Sequence, residues 1–323
     1  MTIALRGLAL AAALASGPAL ALEPLTYLTP APSFLPAFAP QTLAKAKGYY
    51  EEAGLDVSFA VGKGGADAAK QAAVGNADLA GALIDTVMVV RGNGLPVQGV
   101  ANLGTGAFYQ VVVRQDAGVE KLEDLAGKRV GVIGYQDTGY FNLRGALSTV
   151  GMTENDMEVQ AVGVGGVVQL MISGDLDAMV GVPEFTFAIE QAGVPVDTYL
   201  ISDFFPGMAQ VVVASESMIE ENPETVEAFV GATLRAIRDI VADPEAAAAA
   251  FVAAVPQHEG KEAGIAEIFR RYARLVYEDG KGGTLGVFEP SEIETMASYY
   301  VEAGILPEGF DAEASYTNAF VGD

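Results

Sequence analysis

Residues 64–83 read GGADAAKQAAVGNADLAGAL, which is the pattern of a glycine-rich turn, a short Ala-rich helix, a Gly-Asn break and a buried strand. A helix that opens on glycines presents unpaired backbone N–H groups and the positive end of its dipole to whatever lies in front of it. Residues 165–181 repeat this order of turn, helix, break and strand. The repeat predicts two similar α/β units and leaves open whether they share a site or are only structural.

Length and composition favour a globular protein of two domains. The chain has 323 residues, about twice the usual domain length, and its 51% of hydrophobic residues supplies material for two cores. The formal net charge is −24 and the 18 basic residues are scattered, so we expect no nucleic-acid partner. The absence of cysteine excludes disulfides, thiolate catalysis and the common zinc frameworks.

The first residues have the pattern of a secretory signal peptide. Within residues 1–21, Arg6 is the only charge ahead of an apolar run, and Ala19-Leu20-Ala21 supplies a cleavage site. The apolar run is short and is interrupted by Ser16-Gly17-Pro18, which argues against a membrane anchor. We therefore predict a signal peptide over 1–21 and a secreted mature protein.

The periodicity beyond the signal peptide predicts an α/β fold whose strands alternate with helices, which is typical of mostly parallel sheets. The runs 108–114 and 208–214 share the letters QVVV and are interpreted as two crossings between lobes. From Asn222 the pattern becomes helical, and we expect this tail to pack on the first lobe. The predicted domains are lobe 1, residues 22–114 and 209–323, and lobe 2, residues 115–208.

Little in the sequence points to catalysis. The only histidine, His258, follows Pro256 and is interpreted as an exposed turn residue rather than part of a catalytic triad. The glycine-rich segments lack the complete dinucleotide and phosphate-loop motifs, so no cofactor is predicted. Carboxylates are plentiful, which leaves a hydrolase with paired carboxylates open as an alternative.

Segments spread over nearly the whole mature chain carry a family resemblance: 44–57 (AKAKGYYEEAGLDV), 64–65 (GG), 74–78 (VGNAD), 94–97 (GLPV), 122–131 (LEDLAGKRVG), 221–224 (ENPE) and 316–320 (YTNAF). On these segments the chain resembles the thiamine-pyrimidine-precursor-binding proteins within the nitrate/sulfonate/taurine-binding superfamily of periplasmic solute-binding proteins. The resemblance implies a two-lobed type II binding protein, with a mostly parallel sheet flanked by helices in each lobe and two crossover strands as a hinge.

The function implied by the resemblance is that of a receptor for an ABC importer. Such a protein is a periplasmic monomer that closes its lobes on a small molecule and delivers it to a membrane permease. The chain departs from the family at Phe38, where pyrimidine-binding members carry a histidine. It also lacks the cysteine-rich motif and the essential histidine of the relatives that synthesise the pyrimidine, so we predict a binding protein and not an enzyme.

Candidate ligand-binding residues come from the loops expected at the cleft: Phe34, Phe38, Gly64, Gly65, Ala82, Tyr109, Tyr135, Asp137, Thr138, Tyr140, Glu184 and Phe185. Their aromatic character predicts a stacked pyrimidine- or flavin-like ring, with Glu184 or Asp137 accepting an N–H. A sulfonate, nitrate or other small anion is the alternative. The only basic residues near these loops are Lys63 and Arg144, although helix starts at Gly65 and Thr138 would also serve an anion.

Overall fold

The computed structural model describes residues 21–135, 137–278, 280 and 282–322. The predicted signal peptide lies outside the described residues, except for Ala21. The strands of the described part are β1 (Glu23–Thr29), β2 (Leu55–Val61), β3 (Leu79–Leu83), β4 (Val97–Asn102), β5 (Gln110–Arg114), β6 (Arg129–Val132), β7 (Glu158–Ala161), β8 (Ala178–Gly181), β9 (Val196–Leu200) and β10 (Gln210–Ser215).

The α-helices of the described part are α1 (Ala39–Ala46), α2 (Tyr49–Glu52), α3 (Gly65–Ala73), α4 (Ile84–Gly92), α5 (Thr138–Ser148), α6 (Gly163–Ser173), α7 (Pro183–Gln191), α8 (Glu216–Glu221), α9 (Pro223–Ala242), α10 (Pro244–Ala254), α11 (Glu262–Tyr272) and α12 (Pro290–Glu302). A π-helical turn, Ala273–Tyr277, extends α11. No helix in this part of the chain is both long enough and apolar enough to cross a bilayer.

The strands form two five-stranded sheets of the same design. The first has the order β2-β1-β3-β10-β4 and the second the order β7-β6-β8-β5-β9. In each sheet one strand, β10 or β5, runs antiparallel to both of its neighbours, and the other four run in one direction. In each sheet, the antiparallel strand is the first strand formed after the chain arrives from the other sheet: β5 follows β4, and β10 follows β9. The predicted α/β architecture of two lobes with mostly parallel sheets is confirmed.

The strand pairing bears on where the chain crosses between the lobes. Residues 110–114 form β5, which pairs with β8 and β9 in the second sheet, whereas the prediction placed them with lobe 1. Residues 210–215 form β10 in the first sheet. The lobe limits stay a prediction, which we propose to revise so that the two connecting segments are 103–109 and 201–209.

The C-terminal helices pack on the first sheet through stacked aromatic rings. Phe229 of α9 stacks on Tyr27 of β1 and on Tyr50 of α2, with ring centroids 4.9 Å apart in both pairs. All three side chains are fully buried, and burial of each such ring stabilises the fold by about 1.5–3 kcal/mol. Helices α1 and α2 are separated at Gly48, whose φ of +75° suits glycine, and Tyr50 of α2 belongs to this cluster.

Candidate functional site

A cavity of about 500 Å³ lies between the two sheets. Most of its wall consists of the segments at the ends of parallel strands: β1, β2 and β3 in the first sheet, and β6, β7 and β8 in the second. The carboxyl ends of the parallel strands in both sheets therefore face one another across the cavity, which is where ligands bind in open α/β sheets. The volume is in the range of sites that bury a small organic molecule.

The cavity brings together most of the residues that the sequence predicted: Phe38, Gly64, Gly65, Ala82, Tyr109, Asp137, Thr138, Glu184 and Phe185. Gly65 and Thr138 are the first residues of α3 and α5, as predicted for the helix starts. Asp137 caps α5 by accepting a hydrogen bond from the backbone N–H of Gly139 at 3.0 Å.

Three predicted residues lie outside the cavity wall. Phe34 is 38% exposed, and its carbonyl oxygen accepts a hydrogen bond from Nε2 of His258 at 2.7 Å. Tyr135 is 54% exposed and donates its hydroxyl to the carbonyl oxygen of Val159. Tyr140 packs edge-on against Tyr135 at 5.4 Å. The sequence pattern does not show these contacts, because Val159 and His258, the partners of Tyr135 and Phe34, are distant in the chain.

The wall also contains residues that sequence reasoning did not select: Leu35, Thr86, Phe108, Ile133, Val164, Val182 and Gln210. Signals for two of them were present in the sequence. Phe108 precedes the selected Tyr109, and Gln210 begins the second of the QVVV runs, which was interpreted only as a crossing. Thr86 was missed because its place on α4 gave no pattern.

The cavity wall is rich in aromatic rings and poor in cations. Phe38, Phe108 and Tyr109 are buried, and the Phe108 and Tyr109 rings meet edge-to-face with centroids 5.3 Å apart. Lys63 is the one basic residue among the described residues of the wall. The second predicted cation, Arg144, lies outside this wall and pairs with Glu154 at 3.3 Å. The wall therefore favours a stacked ring over a bound anion.

Asp85 joins the lobes beside the cavity. The residue is buried on α4 of the first lobe, and its carboxylate accepts hydrogen bonds from Thr138 and Asn142 of α5 in the second lobe, at 3.3 and 3.0 Å. Tyr300 of α12 donates to the same carboxylate at 3.0 Å. Burial raises the pKa of Asp85 to about 6, although these hydrogen bonds oppose the rise.

The hydroxyl groups of Thr86 and Thr138 also meet across the cleft at 2.7 Å. Both residues line the cavity, so this contact joins its two walls. The lobes are therefore in contact next to the site.

Glu184 forms a second connection between the lobes. It lies in the first turn of α7 in the second lobe, and its carboxylate accepts a hydrogen bond from the hydroxyl of Tyr272 on α11. Burial raises the pKa of Glu184 to about 7. Burial likewise raises the pKa of Asp137, whose carboxylate accepts a hydrogen bond from the Tyr109 hydroxyl at 3.3 Å. Glu184 and Asp137 are thus two carboxylates of the cavity wall that are largely shielded from water and accept hydrogen bonds.

A family model described as NMT1/THI5 like matches residues 35–247, which include most of both sheets. The chain belongs to the NMT1/THI5-like family. The predicted resemblance to pyrimidine-precursor-binding proteins is confirmed at the level of this family.

Relatives of this NMT1/THI5-like protein include both a binding protein and synthases. Riboflavin-binding protein RibY of Chloroflexus aurantiacus is 27% identical over 318 residues, which cover 96% of this chain and 91% of that protein. A 4-amino-5-hydroxymethyl-2-methylpyrimidine phosphate synthase of Aspergillus parasiticus is 26% identical over 237 residues, or 67% of each chain.

The fold is shared with solved solute-binding proteins. The alkanesulfonate-binding protein SsuA of Xanthomonas axonopodis pv. citri, solved with MOPS bound, superposes with a TM-score of 0.69 at 14% identity, covering 92% of this chain and 98% of that one. The NMT1/THI5-like chain therefore has the fold of the solute-binding proteins of ABC importers.

The described residues of this NMT1/THI5-like chain were compared with the requirements of a metal site and of a catalytic histidine. Within the described residues, no group of three or more His, Cys, Asp or Glu side chains is placed to hold a metal ion. His258 is only partly exposed, contrary to the expectation of an exposed turn residue, because its ring packs near Phe251 and bonds the Phe34 carbonyl. Its role in the described structure is to anchor the loop after β1.

Proposed function

We propose that the protein is the extracytoplasmic receptor of an ABC importer and that it binds a small heteroaromatic molecule of the pyrimidine or flavin kind. The observation that carries the proposal is the aromatic cavity between two lobes, with Lys63 as the one basic residue among the described residues of its wall. The similarity to riboflavin-binding protein RibY over nearly the whole chain supports the same ligand class.

The ring is proposed to stack on the aromatic wall and to donate an N–H to a carboxylate. Phe38, Tyr109 and Phe185 all line the cavity, and each well-placed ring pair adds about 0.5–1.5 kcal/mol beyond the area that it buries. Glu184 and Asp137, on the same wall, are the acceptors for a ring or amino N–H. These contacts come from both lobes, so the ligand favours the closed state over the open one.

The closed, loaded form is proposed to be what the membrane permease recognises. In this proposal the protein is a periplasmic monomer, secreted through residues 1–21, and it has no nucleic-acid partner. Catalysis is not part of the proposal, because the histidine anchors a loop and the carboxylates of Asp85 and Glu184 accept hydrogen bonds between the lobes.

Calorimetry with a ligand panel tests the ligand class. The panel contains riboflavin, 4-amino-5-hydroxymethyl-2-methylpyrimidine, an alkanesulfonate and nitrate. We expect a heteroaromatic compound to bind and Phe185→Ala to weaken it by about tenfold, through lost stacking and buried area. Tyr135→Ala is the matched control, because Tyr135 lies outside the cavity wall, and it should leave the affinity unchanged.

Two results would count against this proposal. Tight binding of the sulfonate or nitrate with none for either ring compound would favour the anion alternative, in which the helix starts at Gly65 and Thr138 hold the ligand. Turnover of ester, phosphate or glycoside substrates that disappears on Glu184→Gln would favour the hydrolase alternative.

A further inference from the structure

Gln210 is a polar residue at the start of an interior strand of the first sheet, and it lines the cavity. It is the first residue of β10 and lies opposite Leu83 of β3 in the strand register. Its backbone carbonyl is engaged, since it accepts a hydrogen bond from the N–H of Leu103 at 2.8 Å. The side chain lines the cavity together with Leu83, Thr86 and Phe108.

The side-chain amide of Gln210 has no hydrogen-bond partner among the residues that the structure describes, although only 9% of the residue is exposed. Five other polar side chains of the wall have partners: Thr86 pairs with Thr138, Asp137 with Tyr109, and Glu184 with Tyr272. A nearly buried amide without a partner is unfavourable unless something else supplies its hydrogen bonds. Because Gln210 borders the cavity, that partner can be the ligand.

The chemistry of a primary amide specifies what it can recognise. Its carbonyl oxygen accepts and its NH₂ donates from one edge of a planar group. Such an edge forms two parallel hydrogen bonds with a ring that carries an acceptor next to a donor, as glutamine does with adenine. Lactams, imides and amino-substituted azines carry this edge, and a sulfonate or nitrate does not.

We infer that Gln210 is a specificity-determining residue that pairs through its amide with an acceptor–donor edge of the heteroaromatic ligand. The inference rests on the proposed function and narrows it to rings with a lactam, imide or amino-azine edge. It divides the recognition of the ligand between the aromatic wall, which accepts any flat ring, and Gln210, which selects the edge.

Affinity measurements with riboflavin and 3-methylriboflavin test the inference, because the methyl group removes the imide donor. The wild-type protein should bind riboflavin about tenfold more tightly than the methylated compound, which is the effect of leaving a buried amide unpaired. In Gln210→Met, which keeps the size of the side chain, riboflavin binding should fall to the level of 3-methylriboflavin. If the wild type binds the pyrimidine instead, the probes are 4-amino-5-hydroxymethyl-2-methylpyrimidine and its 4-dimethylamino analogue.

Gln110→Met is the matched control. Gln110 begins β5 as Gln210 begins β10, but it is fully buried and lies outside the wall of this cavity. Both polar atoms of its side chain lack a partner in the structure, so an apolar replacement of similar shape should be tolerated and ligand affinity unchanged.

The outcomes separate this inference from the proposed function. If Gln210→Met keeps the discrimination between the paired probes, the inference is wrong and the proposed function stands. If the wild type binds no heteroaromatic probe, the proposed function is wrong, and the inference that rests on it is wrong as well. If Gln210→Met does not fold, Gln210→Leu replaces it, because an aliphatic side chain neither accepts from nor donates to the ring and should also lose the discrimination.

Discussion

Asp85 shows how much one side chain contributes to the contact between the lobes. Its two carboxylate oxygens serve three donors from two helices: Oδ1 accepts from Thr138 of α5, and Oδ2 accepts from Asn142 of α5 and Tyr300 of α12. An amide at this position would have one acceptor oxygen and would turn an NH₂ group toward existing donors. A buried donor then loses its partner.

We therefore expect Asp85→Asn to reduce the free energy of unfolding by about 1–3 kcal/mol, the usual effect of leaving a buried polar group unpaired. Urea denaturation at neutral pH measures the change. Asp56→Asn is the control, since Asp56 is exposed on β2, and it should change the stability by less than about 0.5 kcal/mol. Equal stability of the two variants would mean that the Asp85 network contributes nothing.

At the level of elements, the turn before α3 has a conformation that few residues can adopt. Gly64 has φ +96° and ψ 169°, a region that is essentially restricted to glycine, and it lines the cavity directly before the first residue of α3. The corresponding helix of the second repeat starts earlier, at Gly163, so Gly165 lies inside α6. The two repeats are therefore similar in sequence and different in where the helix begins.

This difference predicts opposite effects for the same substitution. Gly64→Ala should destabilise the protein by about 1–3 kcal/mol because of backbone strain. Gly165→Ala should stabilise it by about 0.5–1 kcal/mol, because Gly165 is helical and an added Cβ would meet no atom within 4 Å. Thermal unfolding of both variants checks the signs, and a shift in the same direction for both would contradict the assigned helix starts.

For the whole molecule, we expect the two carboxylates between the lobes to make the proposed closure depend on pH. Burial raises the pKa of Asp85 from 3.8 to about 6 and that of Glu184 from 4.5 to about 7. An open form would expose both groups and return them toward their ordinary values, so the closed form binds protons more tightly. The stabilisation of the closed form is complete below the ordinary values and is lost as the pH rises through about 6 and about 7.

Without ligand, we expect the radius of gyration from small-angle scattering to increase as the pH is raised from about 5 to about 8. The Asp85→Asn, Glu184→Gln double variant should show a smaller pH dependence, and Asp56→Asn should behave as the wild type. A pH-independent radius in the wild type would show that these carboxylates do not control closure.

Ligand binding should act in the same direction as protonation. At about pH 8, addition of the ligand found by calorimetry should decrease the radius of gyration, because contacts from both lobes favour the closed state. Unchanged scattering with a saturating, tightly bound ligand would contradict closure of the two lobes.

Much of the architecture could be predicted because it depends on local patterns. Alternating strands and helices, the Gly64–Gly65 turn and the cap at Asp137 are each encoded within a few neighbouring residues. The rule that ligands bind beyond the ends of parallel strands then selected most of the residues that line the cavity. These features follow from propensity, periodicity and capping, which operate within one segment.

The tertiary structure decided whatever depends on contacts between distant segments. Phe34 and Phe38 lie on one loop and look equivalent in the sequence, yet Phe38 lines the cavity while the Phe34 carbonyl is bonded to His258. The two QVVV runs differ in the same way, since Gln210 reaches the cavity and Gln110 does not. Side-chain direction and burial at these positions are set by packing between elements far apart in the chain, and such packing leaves no local pattern to read.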